Sequence, residues 1–168
     1  MVSNLSFNKK GYEKNNEEFE EIGIEAQRIK RKLTRLIDED TNAFNGIIES
    51  FRMPRKTTTE IKKRNRAMES ATKYAIEIPF EIMKESYKGI ILSKKISKIG
   101  NKNSLSDAGV AAELSYSAIN GAQMNVLINL KDLKDSNYSE NMKIKASSIA
   151  NKAKKQIEII RSYIYKNL

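Results

Sequence analysis

At 168 residues the chain has the length of a single domain and is long enough to bury a core. It contains no Cys and no His, which excludes disulfides, a thiol nucleophile, an imidazole base and a zinc centre of the usual nitrogen and sulfur ligands. The 31 Lys and Arg against 21 Asp and Glu give a formal charge of +10, but the basic residues are scattered along the sequence. They read as solvated helix faces, so nucleic acid is not expected as a partner, whereas a small polyanionic ligand is compatible. Acid–base work falls to carboxylates, lysines and tyrosines. No apolar run approaches the ~20 residues that span a bilayer, and MVSNLSFNKK lacks the apolar core of a signal peptide. A cytoplasmic protein with no membrane partner is expected.

Two prolines and seven glycines leave little turn chemistry for a sheet, and four helical stretches follow one another along the chain. The first runs from about Glu13 to Phe51, with Phe19, Ile22, Ala26, Ile29, Leu33, Leu36, Phe44, Ile47 and Phe51 stepping by three and four. It stops before Pro54. The second opens with a capping-box pattern, Thr57 and Glu60, and reaches Gly100; Pro79 in its middle should kink or divide it. The third begins near Ser104, passes through Ala108, Ala111, Ser115, Ala118 and Ala122, and ends around Leu133. The fourth follows DSNYSE and carries Met142, Ala146, Ile149, Ala153, Ile157, Ile160 and Tyr163 on one stripe. Short connections between long helices predict antiparallel neighbours in one domain spanning residues 1–168.

Several polar residues do not fit a plain bundle. At 100° per residue Asp40 lies about 0° from Ile22, at the centre of the apolar stripe, so a carboxylate is aimed at the core. It must be paired, be neutral or face a polar pocket. A hydrogen bond to a neighbouring helix and a general acid or base both satisfy that requirement. Asp107 can complete a capping box with Ser104, yet it shares a helix face with Ala111, Ala118 and Asn125, and Asn129 lies about 40° away. The two mid-helix asparagines suit either interhelical hydrogen bonds or recognition of a heteroaromatic ring. The segment GNKNSLSDAG brings a helix start beside Asn101, Lys102, Asn103 and Ser106, a setting able to hold an anion.

Taken in order, KKGYE (9–13), DTNAF (40–44), GNKNSLSDAG (100–109) and MNVLINLKDL (124–133) resemble the cyclodeaminase domain of the formiminotransferase-cyclodeaminase family, which also includes methenyltetrahydrofolate cyclohydrolases. The resemblance covers nearly the whole chain. It implies an all-α bundle of long antiparallel helices, a homodimer, and a tetrahydrofolate derivative, polyglutamylated forms included, as substrate rather than a bound prosthetic group. The reaction implied is cyclisation to 5,10-methenyltetrahydrofolate with loss of ammonia, in histidine breakdown or one-carbon interconversion, or the related cyclohydrolase reaction. No metal is required. Asp40 is then the candidate base and Asp107 the candidate proton donor; Asn101, Asn103, Asn125 and Asn129 would orient the pterin, with Ser106 beside them, and Lys9, Lys10 or Lys102 would meet the glutamate tail. Members usually begin with a further segment of about forty residues, holding a glycine-rich turn suited to anions and an Ala-rich helix. Met1 falls where that helix should end, so an apolar patch of the bundle should be uncovered, and a catalytically silent helical module is the expectation from another class.

Overall fold

The computed structural model describes all residues, 1–168, and contains helices and no strand. Following a five-residue turn of helix, α1 (Val2–Ser6), come four long elements: α2 (Asn16–Arg52), α3 (Thr58–Ile99), α4 (Leu105–Leu130) and α5 (Ser136–Asn167). Short 3₁₀ turns at Glu13–Asn15 and Lys102–Ser104 lead into α2 and α4. No helix is long and apolar enough to cross a membrane.

Helix starts follow local chemistry. The Thr57 hydroxyl accepts from the Glu60 N–H at 3.2 Å, and the Glu60 carboxylate accepts from the Thr57 N–H at 2.9 Å, completing the capping box that opens α3. Asp135 caps α5 by accepting from the Tyr138 N–H at 3.0 Å, so that helix begins inside DSNYSE rather than after it. Ser104 makes no side-chain cap bond, and capping does not account for Asp107. The KKGYE turn needs its glycine: Gly11 has a φ of +89°, and its N–H donates to Glu13 at 2.7 Å.

α3 is the central helix. It runs antiparallel to α2, as Phe19 beside Ile96 and Leu36 beside Ile78 require, and antiparallel to α4, where Gly89 faces Ser115. The main core lies between α3, α4 and α5 and includes Ile76, Met83, Ile90, Ile119, Val126, Ile157 and Ile160, all at most 1% exposed. α2 packs on another side of α3 through Leu36, Ala43, Ala75 and Ile78.

Two expectations are corrected here. Of the two outcomes expected at Pro79, a kink or a division, division does not occur, because α3 runs unbroken through it. The buried line of α2 steps by seven, through Ile22, Ile29, Leu36, Ala43 and Ser50, because the helix follows its neighbour at about 3.5 residues per turn rather than 3.6. That drift takes Asp40, five turns beyond Ile22, off the core-facing line and, further along, carries Phe44 and Phe51 out to 62% and 54% exposure.

Candidate functional site: the groove between α2 and α4

α2 and α4 run parallel, each packed on α3, and leave between them a groove with α3 as its floor. Its wider part, a cleft of about 690 Å³, is walled by Ile22, Ile29 and Leu33 on α2 and by Asp107, Ala111 and Ala118 on α4. Ser86, Gly89 and Ser93 form its floor. Small side chains keep that floor low, and the Ser86 hydroxyl, buried there, has no hydrogen-bond partner. At the far end a smaller cleft of about 200 Å³ is lined by Asp40, Phe44, Ile47, Ala75, Asn125 and Asn129.

The structure sorts the anticipated site residues into two groups. Asp40, Asn125 and Asn129 share the smaller cleft. Asp40 is exposed, contrary to the expectation of a core-facing carboxylate, because its flank of α2 faces the open groove rather than α3. One of the asparagines already has a partner: the Asn129 side-chain N–H donates to the Ala75 carbonyl at 2.8 Å. Of the two roles open to these amides, the interhelical hydrogen bond holds for Asn129.

The second group gathers where the N-terminal segment meets the start of α4. The Asn101 N–H donates to Ser6 Oγ at 2.8 Å, and the Lys102 N–H donates to the Tyr12 hydroxyl at 3.2 Å. Asn101 is buried and its side chain accepts from the Asn103 N–H at 3.1 Å, which fixes the turn. Lys102, Asn103 and Ser106 are exposed, and Asp107 is half-buried. Lys9 lies 5.8 Å from the centre of the Tyr12 ring, so KKGYE brings Lys9 and Lys10 to this same end. Asp107 and Asp40 therefore do not share a pocket within one chain. Asn125 lies eighteen residues beyond Asp107 on α4, about 27 Å along the helix.

Sequence reasoning missed a buried carboxylate. Glu85 on α3 is 5% exposed and is held by Arg28 of α2 at 2.9 Å and Lys88 at 2.7 Å; Arg28 also pairs with Glu25. Burial pushes the Glu85 carboxyl up, but hydrogen bonds and charge from Lys88 and Arg28 more than offset this and hold it below 4.5. The cluster lies between α2 and α3, outside both clefts, and acts as a clamp. The Glu–x–x–Lys spacing of 85 and 88 was visible in the sequence; the inter-helix partner Arg28 was not.

Residues 1–148 match the family model for formiminotransferase-cyclodeaminase. The chain belongs to that family. It is 30% identical over 140 residues to a methenyltetrahydrofolate cyclohydrolase of Methylorubrum extorquens, a match covering 83% of this chain and 67% of that protein. It is 31% identical over 129 residues to the formimidoyltransferase-cyclodeaminase of Mus musculus, covering 77% of this chain and 24% of the mouse protein. The crystal structure of a formiminotetrahydrofolate cyclodeaminase from Thermotoga maritima superposes with a TM-score of 0.80 at 28% identity, over 100% of this chain and 78% of that one. The family resemblance and the all-helical bundle expected from the sequence are thus both borne out. The chain spans about two thirds of the length of the cyclohydrolase and about a quarter of the mouse enzyme.

Proposed function

We propose that this chain acts on tetrahydrofolate as a formimidoyltetrahydrofolate cyclodeaminase. In that reaction N10 of the folate attacks the formimino carbon carried on N5, a new N10–C bond forms, the C–N bond to the amine breaks, and ammonia leaves. A base takes the N10 proton and an acid supplies one to the departing nitrogen. Asp40 takes the first role; Asp107, which lines the other cleft of the same chain, takes the second where the homodimer sets the Asp107 end of one copy against the Asp40 cleft of the other. The observation that carries the reading is the convergence of one carboxylate and two amides, Asp40, Asn125 and Asn129, on a single cleft in a folate-enzyme family fold. Asn125 and the free carbonyl oxygen of the Asn129 amide offer the pterin a donor and acceptors. At the start of α4, Asn101, Asn103 and Ser106 precede Asp107 in the chain, and Lys9, Lys10 and Lys102 are assigned the carboxylates of a glutamate tail. The active form is a homodimer in the cytoplasm.

The alternative is the cyclohydrolase reaction, favoured by the similarity to the Methylorubrum extorquens enzyme, in which water rather than ammonia exchanges at the same one-carbon unit. Incubation of the protein with 5-formimidoyl- and with 5,10-methenyltetrahydrofolate, following methenyl absorbance, separates the two. Absorbance rises with the first substrate for a cyclodeaminase and falls with the second for a cyclohydrolase. The open apolar groove favours a third reading, a catalytically silent helical module; no change with either folate, together with no saturable heat of folate binding, would establish it.

A further inference from the structure

Pro79 is an anomaly of α3. Proline is the least favourable residue in a helix interior, because it lacks an N–H and its ring presses on the carbonyl four residues back. Here it stands near the middle of a 42-residue helix that continues through it, and its ring is fully buried. Nothing local calls for it, since the helix neither starts nor stops nearby. Breaches of local preference of this kind are expected where a site needs them.

The carbonyl that Pro79 leaves without its helical partner is that of Ala75, a buried residue that lines the cleft of Asp40, Asn125 and Asn129. It takes the Asn129 side-chain N–H instead, at 2.8 Å. A carbonyl oxygen only accepts, so this bond fixes which arm of the amide faces α3: the nitrogen. The amide oxygen, on the other arm of the same planar group, has no partner in the chain and is not sealed from solvent. Asn125, one turn earlier on α4, is exposed and is not held in this way. Of the two amides in the cleft, one has its polarity set and the other can turn either end to a ligand.

We propose that Pro79 is a positioning residue for this cleft: by withholding an N–H it frees the Ala75 carbonyl to hold the Asn129 amide nitrogen, and so sets the Asn129 oxygen as a fixed acceptor for an N–H of the pterin. Pro79 touches no substrate and acts only through Asn129. The inference rests on the folate reading and deepens it. An acceptor fixed in the same cleft as a carboxylate selects a ligand edge rich in N–H donors, which the amino and ring N–H groups of a pterin supply. The gain is pre-organisation, since an amide already held in one orientation loses no freedom when the ligand arrives. An asparagine free to turn would be in the binding orientation only part of the time, and the apparent affinity would fall by that fraction.

Pro79→Ala is the direct test. Alanine restores the N–H, the Ala75 carbonyl returns to the helical ladder, and the Asn129 amide is released; alanine is also the best helix former, so the variant is expected to fold. With the folate that the unmodified protein turns over, P79A is expected to raise KM about three- to tenfold, as an amide with a few competing orientations implies. Its kcat should stay within about twofold, because substrate and transition state lose the same contact. Added to Asn129→Ala, P79A should raise KM no further than N129A does alone. A proline that serves the fold only would move the denaturation midpoint and leave KM untouched, or would act equally with and without Asn129, and either result overturns the proposal. A second readout needs no folate. By NMR of isotope-labelled protein, the Asn129 side-chain N–H, identified by its absence from N129A, is expected to be protected from hydrogen exchange, and P79A to remove that protection. An unprotected amide in the unmodified protein, or protection that persists in P79A, overturns the positioning role. Failure of the unmodified protein to bind 5-formyltetrahydrofolate by calorimetry, with the amide protected, would instead sink the folate reading and the ligand named here, while the orientation of Asn129 by Pro79 would stand.

Discussion

The Asn129 side chain on α4 donates to the carbonyl of Ala75 on α3, four residues before Pro79. Proline has no N–H, so the Ala75 carbonyl loses its partner within the helix. A donor from the neighbouring helix replaces it, and α3 continues through the proline. An unpaired carbonyl between packed helices costs about 1–3 kcal/mol. Asn129→Ala is therefore expected to lower stability by about 1–2 kcal/mol, and Pro79→Ala, which restores the missing N–H, to relieve part of that loss. A double-mutant cycle in urea checks it: a coupling of about 1 kcal/mol is expected, and additive effects would refute the exchange of partners.

Glu85 links stability to pH. Its carboxyl is held below 4.5 in the folded chain, so its contribution is complete above that value and is lost as pH falls through the lowered folded value. Glu85→Gln should cost about 1–3 kcal/mol near neutrality, the Arg28 partner being partly solvated, and should flatten the acid side of the stability profile. Chemical denaturation from neutral to acidic pH measures both effects.

The carboxylates proposed for catalysis are open to a cleaner test than most, because neither is needed for packing. Asp40 is exposed and Asp107 half-buried. Asp40→Asn and Asp107→Asn should each leave the melting temperature nearly unchanged and reduce turnover of the formimino substrate by about 10²–10⁴-fold. Undiminished turnover in either variant removes that residue from the mechanism.

The α3 start should respond to a single hydroxyl. Thr57→Ala removes the acceptor for the Glu60 N–H and is expected to cost about 1 kcal/mol, read as a lower denaturation midpoint with an unchanged slope. Thr57→Ser, which retains the oxygen, should recover most of it.

Much of the fold could be read residue by residue. The Thr57–Glu60 box, the stop before Pro54 and the stripe from Met142 to Ile160 are set by contacts within a few residues, and local spacing reports them faithfully. Asp40 shows where such reading fails. An angle summed over five turns at 3.6 residues each pointed it at the core, whereas the helix, bent to follow α3, keeps a seven-residue line inside and turns Asp40 toward the groove. The continuity of α3 through Pro79 is out of reach in the same way, since the donor that replaces the missing N–H is supplied fifty residues further along the chain.

The amino-acid order by itself determined the class of fold, the number of long helices and the family, because periodicity, caps and short ordered motifs are local properties. The tertiary structure alone decided which polar residues meet: it joined Asp40 to Asn125 and Asn129, sent Asp107 to the opposite end with Lys9 and Lys102, and buried Glu85 against Arg28. Helix phase and the direction of packing set those encounters, and both arise from the fit of one helix against another.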